Sequence, residues 1–188
     1  RAQGLVEAVK HGAILDRDYG GLVADAAPAL LAGDPDATME VVHRSVELKA
    51  AVVGQDEREG GLREILNFGH TVGHALERAY DYGLPHGTAV AQGMMWEARL
   101  GEALGVTEPG TSHQLGEWLG TLGLPLRASV PEEDLFVGVL RADKKARGGD
   151  VRVVLLARLG EVARAPDGGW GHRIPPERIL GAGTTSAP

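Results

Sequence analysis

Cysteine is absent from all 188 residues. That removes disulfide frameworks and thiolate metal sites together, leaving imidazole and carboxylate as the metal ligands on offer. No run of 18 apolar residues occurs, and no charged leader precedes an apolar stretch. Neither a membrane partner nor a targeting segment is therefore expected, and a cytoplasmic location is the default. An excess of positive charge is lacking too. A formal charge of -7 and a pI near 5.5 give no general affinity for polyanions, so nucleic acid is not an expected partner and any phosphate must be held by a few local Lys and Arg side chains. An initiator Met is also missing: Arg1-Ala2-Gln3-Gly4 runs straight into the apolar pattern Leu5, Val6, Val9, and a piece of a longer protein is expected. What is present is length for about one domain and a hydrophobic fraction of 43% to fill its core.

Apolar spacing predicts helices over about 4–11, where Gly12 and the Gly20-Gly21 pair interrupt, over 24–32 with Pro28 weakening the middle, and over 37–53 with Asp36 as N-cap. In the last of these Met39, Val42, Val46 and Val53 recur at helical spacing. Further helices are expected over 62–79, 87–104, 111–122 and from Ser129 to about Ala142. The stretch from Gly87 to Leu104 is apolar on most sides, the pattern of a helix buried in the middle of a domain. Arg152–Ala157 and Glu161–Ala163, split by Leu159-Gly160, read as a short hairpin. The fold class is thus mainly α, a helical domain over 1–165 with a short β-hairpin near its end. A Gly/Pro-rich tail over 166–188 follows, expected to be loose apart from a helical turn near Pro176 to Leu180.

Chemistry concentrates in three histidines. His70 and His74 stand four apart in Asn67-Phe68-Gly69-His70-Thr71-Val72-Gly73-His74-Ala75-Leu76-Glu77, and His86 follows in Leu84-Pro85-His86-Gly87. On one continuous helix, at about 100° per residue, Arg63, Asn67, His70, His74 and Glu77 share a stripe roughly 80° wide, opposite Ile65, Phe68, Val72 and Leu76. Gly69 and Gly73 each cost on the order of 1 kcal/mol relative to Ala inside a helix, which points to another backbone or a ligand coming close. A catalytic metal needs three protein ligands and an open position. His70 and His86 with one carboxylate can supply them, and Glu7, Glu59 and Glu77 all qualify. His11, His43, His113 and His172 read as ordinary core or surface residues.

Six blocks in order carry a family resemblance: Gly4-Leu5-Val6-Glu7-Ala8-Val9-Lys10-His11-Gly12; Glu47-Leu48-Lys49-Ala50; Asp56-Glu57-Arg58-Glu59-Gly60-Gly61-Leu62-Arg63; the His motif; His86-Gly87-Thr88-Ala89-Val90-Ala91-Gln92-Gly93-Met94; and Asp143-Lys144-Lys145. From Gly4 to about Leu156 the chain resembles 3-dehydroquinate synthase. In that family a Rossmann-like NAD-binding domain precedes a helical domain carrying most metal and substrate contacts, and this chain resembles only the second. The resemblance implies that Glu7, His70 and His86 hold a divalent metal, zinc or cobalt. It further implies that His74 is an acid/base and phosphate-contacting residue, and that Glu59 is the proton acceptor. Lys10, Lys49, Arg63 and Asn67 would line the substrate pocket, and one of Lys144 and Lys145 would face the phosphate. Thr88, where many members carry Glu, and His11, where an aromatic or small residue is common, depart from the family pattern without removing a ligand.

The activity so implied is conversion of 3-deoxy-D-arabino-heptulosonate 7-phosphate to 3-dehydroquinate and phosphate, in the shikimate pathway of aromatic amino-acid biosynthesis. NAD and a divalent metal would be cofactors, and the full-length enzyme a homodimer. NAD would be bound mainly by a domain outside this chain, so the chain alone is expected to be inactive and to lack NAD affinity. Competing readings are a sugar-phosphate cyclase making 2-deoxy-scyllo-inosose or 2-epi-5-epi-valiolone, a metal-dependent polyol dehydrogenase, and a non-catalytic helical metal-binding or dimerisation module.

Overall fold

The computed structural model describes residues 1–56, 61–130, 132–142 and 149–184. Helices dominate: α1 (Ala2–Leu15), α2 (Arg17–Ala32), α3 (Pro35–Gln55), a 3-10 helix (Leu62–Asn67), α4 (His70–Ala79), α5 (His86–Ala103), α6 (Thr111–Gly120), α7 (Glu133–Ala142) and α8 (Pro176–Thr184). Four short strands, β1 (Val151–Val154), β2 (Leu156–Arg158), β3 (Glu161–Val162) and β4 (Gly171–Ile174), lie between α7 and α8. The expected mainly α class holds.

Helix α5 is the spine. It buries Ala89, Val90, Ala91, Met94, Met95, Trp96, Ala98 and Leu100, as its all-round apolar pattern requires. Val90, Met94 and Ala98 join a core built from α1, α2 and α6, while Trp96 and Leu100 join a second core with Val72, Leu76, Phe136, Leu140 and Ile179. One helix therefore ties α1 to α4, and these three elements carry the site described below.

Several helix limits differ from those read off the sequence. α1 runs through Gly12 and α2 through Gly20-Gly21, because Gly12 sits where a methyl group would overlap the Gly20 backbone. The two glycines let the helices cross closely and do not break them. Pro28 lies on the exposed face of α2, and the helix continues through it to Ala32. Asp34, not Asp36, caps α3: its carboxylate accepts from the Asp36 and Ala37 N–H groups at 3.0 and 2.9 Å, with Pro35 at the first helical position. On α3 the residues at helical spacing face outward, Met39, Val42 and Val46 being exposed, while Val41 and Val52 face the core.

The largest correction concerns 62–79, which is not one helix. The 3-10 helix stops at Asn67, Phe68 is extended and fully buried, and Gly69 takes a left-handed φ of 79° before α4 begins at His70. Arg63 and Asn67 therefore do not share a helical stripe with His70, His74 and Glu77. The sheet differs as well. The expected hairpin is present as antiparallel β2 and β3, but β1 pairs with β4, with Val151 opposite Ile174 and Val154 opposite Gly171. The segment after Pro166 is consequently packed as far as it is described: Ile179 is fully buried and its carbonyl accepts the Trp96 indole N–H. Arg152 on β1 donates two bonds of 2.8 Å to Glu64, clamping the 3-10 helix to the strand.

Gly69, Gly73 and Gly93 lie where the backbones of the α4 start and α5 come close, which is the proximity the first two glycines foreshadow. A methyl at Gly93 would overlap the Gly69 carbonyl oxygen and stand 2.8 Å from the Gly73 nitrogen. Gly93→Ala is expected to destabilise the fold by at least the upper part of the range of about 1 to 3 kcal/mol for overpacking. Gly138→Ala on the exposed side of α7, where nothing lies within 4 Å, should be neutral or stabilising by up to about 1 kcal/mol. Urea unfolding of the two variants checks the contrast.

Candidate metal centre

Glu7 and Lys10 stand one turn apart on α1, His70 and His74 one turn apart at the start of α4, and His86 is the first residue of α5. Because α5 packs on both α1 and α4, three distant stretches of sequence meet. The ring centroids of His70 lie 5.5 Å from His74 and 5.6 Å from His86, and those of His74 and His86 lie 6.1 Å apart. Glu7 Oε1 is 3.6 Å from His70 Nε2. Among the described residues, Glu7, His70 and His86 each offer a ligand atom within 4.8 Å of the other two. Ligands about 2.0 to 2.2 Å from a common ion need only small side-chain adjustments from there.

The donor set also passes a chemical test. His70 Nδ1–H donates to the Phe68 carbonyl at 3.2 Å, and His86 Nδ1–H donates to Glu77 Oε1 at 3.0 Å. Both acceptors hold the proton on Nδ1 and leave the Nε2 lone pair free to bind an ion, which is how metal-binding imidazoles are usually held. Burial, reinforced by the Lys10 charge, pushes the His70 pKa down to about 4, so its ring is neutral near pH 7 as ligation requires. Burial alone would raise the Glu7 carboxyl, but Lys10, 2.7 Å away, outweighs it and holds Glu7 below the usual carboxylate range. Lys10 itself is only 3% exposed. Burial lowers its pKa, and Glu7 opposes that shift.

The other expected residues fall around this cluster. His74 is exposed beside the other two rings and borders a cleft of about 200 Å³ lined also by Thr71, Arg78 and the end of α7. Lys49 is exposed on α3, and its charge reaches Lys10 and His11. Arg63 and Asn67 are half-buried on the 3-10 helix, anchored where the Arg63 N–H donates to Asp56 Oδ2 at 2.9 Å. Glu59, Lys144 and Lys145 lie outside the described residues. Of the three carboxylates the sequence leaves open, Glu7 joins His70 and His86, whereas Glu77 belongs to a second grouping with His74 and His86. Of the two departures, Thr88 is fully bonded, exchanging two bonds with the Gln3 side chain at 2.8 and 2.9 Å. His11 is bonded through one ring nitrogen, Nδ1 meeting Ser45 Oγ at 2.7 Å, and its buried Nε2 has no partner among the described residues.

One residue escapes the sequence reading altogether. Glu97 on α5 is fully buried, and its two carboxyl oxygens accept the Gly69 N–H at 2.6 Å and the Val72 N–H at 3.2 Å. It thereby satisfies N–H groups at the start of α4 that helix geometry leaves unpaired. The available signal was an acid in the middle of a largely apolar helix, between Trp96 and Ala98, since a buried carboxyl group demands partners.

The profile of the family described as 3-dehydroquinate synthase C-terminal matches residues 4–146. Among solved structures, a 2-epi-5-epi-valiolone synthase from Streptomyces hygroscopicus subsp. jinggangensis 5008, with NAD+ and Zn2+ bound, superposes with a TM-score of 0.80 at 23% identity. The alignment covers 96% of this chain and 49% of that one. A 2-deoxy-scyllo-inosose synthase complexed with carbaglucose-6-phosphate, NAD+ and Co2+ gives 0.78 at 21% identity, covering 96% and 50%. At such identities the likeness shows the fold, and the chain spans about half the length of the solved structures it matches.

Proposed function

The chain belongs to the 3-dehydroquinate synthase C-terminal family, and from that premise we propose that it is the metal- and substrate-binding half of a 3-dehydroquinate synthase. The enzyme so formed converts 3-deoxy-D-arabino-heptulosonate 7-phosphate to 3-dehydroquinate and phosphate with NAD and a divalent metal, zinc or cobalt. The observation that carries this reading is the convergence of Glu7, His70 and His86, two of them imidazoles with Nδ1 already engaged. A divalent ion there supplies Lewis acidity, lowering the pKa of a bound hydroxyl and polarising a carbonyl.

The remaining roles fall to the chain's own side chains. Arg63 offers a planar fork for the substrate carboxylate, and Lys10 and Lys49 offer point charges. Asn67 supplies hydrogen bonds, His74 contacts the phosphate and moves protons, and Glu59 accepts one. Lys144 or Lys145 completes the phosphate contacts. In this reading NAD is held by an N-terminal domain, and the enzyme is a cytoplasmic homodimer, which sedimentation and cell fractionation check. Among the described residues no helix is long and apolar enough to cross a membrane.

A second reading, a secondary-metabolism cyclase acting on a substrate without a carboxylate, is favoured by the names of the solved structures of like fold. A substrate panel separates the two. The chain is assayed with an NAD-binding N-terminal domain, divalent metal and NAD against the heptulosonate phosphate, sedoheptulose 7-phosphate and glucose 6-phosphate. Phosphate release is expected from the first alone. Preferential turnover of either of the others replaces the dehydroquinate assignment, and no turnover of any leaves a metal-binding module.

A further inference from the structure

We infer that Glu77 is the positioning residue of the metal centre: it holds His86 in the tautomer and orientation that present Nε2 to the ion, without being a ligand itself. The inference rests on the metal-site reading given above. The three first ligands are held in different ways. His70 has a side chain only 18% exposed and bonds the Phe68 carbonyl, and Glu7 is braced by Lys10 at 2.7 Å. His86 has neither kind of support. Its side chain is 54% exposed, and as the first residue of α5 it sits at the rim of the domain. Burial does not lock that imidazole, and its hydrogen bond among the described residues is the one to Glu77 Oε1 at 3.0 Å.

Glu77 is well placed to bear this load. Its side chain is only 14% exposed, and at seven residues beyond His70 it lies on the same face of α4. The connection to α5 is built to bring His86 back over it. Asp81 and Tyr82 both take left-handed φ angles, 49° and 58°, and the Tyr82 N–H donates to the Glu77 carbonyl at 2.7 Å. Consecutive non-glycine residues in that region are uncommon and carry a cost, so the surrounding structure must over-determine this turn. A carboxylate accepting Nδ1–H fixes which nitrogen is free and makes it more basic, an effect whose removal typically weakens metal binding about 10- to 100-fold. Glu77 also groups with His74 and His86. In that arrangement it would be a ligand of an ion placed elsewhere, which is the competing role for the same side chain.

The test is metal affinity of the chain, measured with Zn2+ against a competing chelator, together with the visible spectrum of the Co2+-loaded protein. Wild type is expected to take one ion. Glu77→Ala should weaken binding by about 10- to 100-fold and alter the Co2+ bands, while far-UV circular dichroism stays unchanged. Glu77→Gln, whose amide oxygen can still accept Nδ1–H, should recover most of the affinity and the wild-type spectrum. Unchanged affinity in both variants overturns the inference. So does loss of binding in Glu77→Gln as complete as in His70→Ala, or two ions per chain, since either makes Glu77 a ligand. Wild type failing to bind, or His70→Ala binding as tightly as wild type, would instead overturn the metal-site reading on which the inference stands.

Discussion

His70→Ala is expected to weaken Zn2+ binding by well over the roughly 100-fold that marks the upper end of outer-shell effects, and to abolish turnover once the NAD-binding half is supplied. Removing the ring leaves Glu7 and His86, two of the three proposed ligands, where a catalytic ion needs three. The fold should survive, because among the described residues the His70 side chain is held by one hydrogen bond to the Phe68 carbonyl, the nearby Glu7 carboxylate and the edges of the other rings. Glu7 must be probed differently. Lys10 is 3% exposed and paired with Glu7, so Glu7→Ala would leave a buried ammonium uncompensated, a change that destabilises in its own right. Glu7→Gln keeps an oxygen near Lys10 while weakening the metal ligand, and it should lose affinity with a smaller loss of stability. His43→Ala, on an exposed residue of α3, is the control and should bind as wild type. Chelator competition and metal content after gel filtration provide the measurement. Retention of a stoichiometric ion by His70→Ala would refute the centre.

What the sequence made legible was local or periodic. Four-residue spacing puts His70 and His74 on one face wherever the helix begins, and α5 declares its burial through an apolar pattern that leaves almost no polar side. The arrival of Glu7 beside His70 came from the family resemblance, since no spacing rule links residues 63 positions apart. What was illegible depends on partners far along the chain. The break at Phe68-Gly69 is stabilised by Glu97, 28 residues away, and without that partner a continuous helix over 62–79 is the sensible reading. Strand β4 is four residues long and gains its identity only by pairing with β1. Gly12 and Gly20 resemble helix breakers until the helices crossing at them are in view. On α3 the periodicity of Met39, Val42 and Val46 located a helix, yet the same pattern could not tell that this face points outward.

Glu97→Ala should be the most destabilising single change in the domain. It leaves the Gly69 and Val72 N–H groups without their acceptor, at about 1 to 3 kcal/mol for each buried unsatisfied donor, and opens a cavity between α4 and α5. Set against a total stability of roughly 5 to 15 kcal/mol for a domain of this size, such a loss removes a large part of the margin. Metal affinity should fall in parallel, because the start of α4 is what presents His70. The pH dependence is the sharper test. Burial raises the Glu97 carboxyl from 4.5 to about 8, against the opposing pull of the Gly69 and Val72 N–H groups and of Lys10. Between those two values the folded state binds more protons than the unfolded state, so unfolding free energy falls as pH rises. The Glu97 contribution is therefore complete below about pH 4.5, declines through the neutral range and levels off above pH 8. His70 and His11, both pushed down to about 4 by burial and the Lys10 charge, work in the opposite sense between pH 4 and 6.5. Wild type alone would blur the two trends, so the comparison is wild type minus Glu97→Gln, by urea unfolding in chelator. That difference should shrink steadily from pH 5 to 8, and parallel curves across this window would mean that Glu97 is already ionised in the folded protein at pH 5.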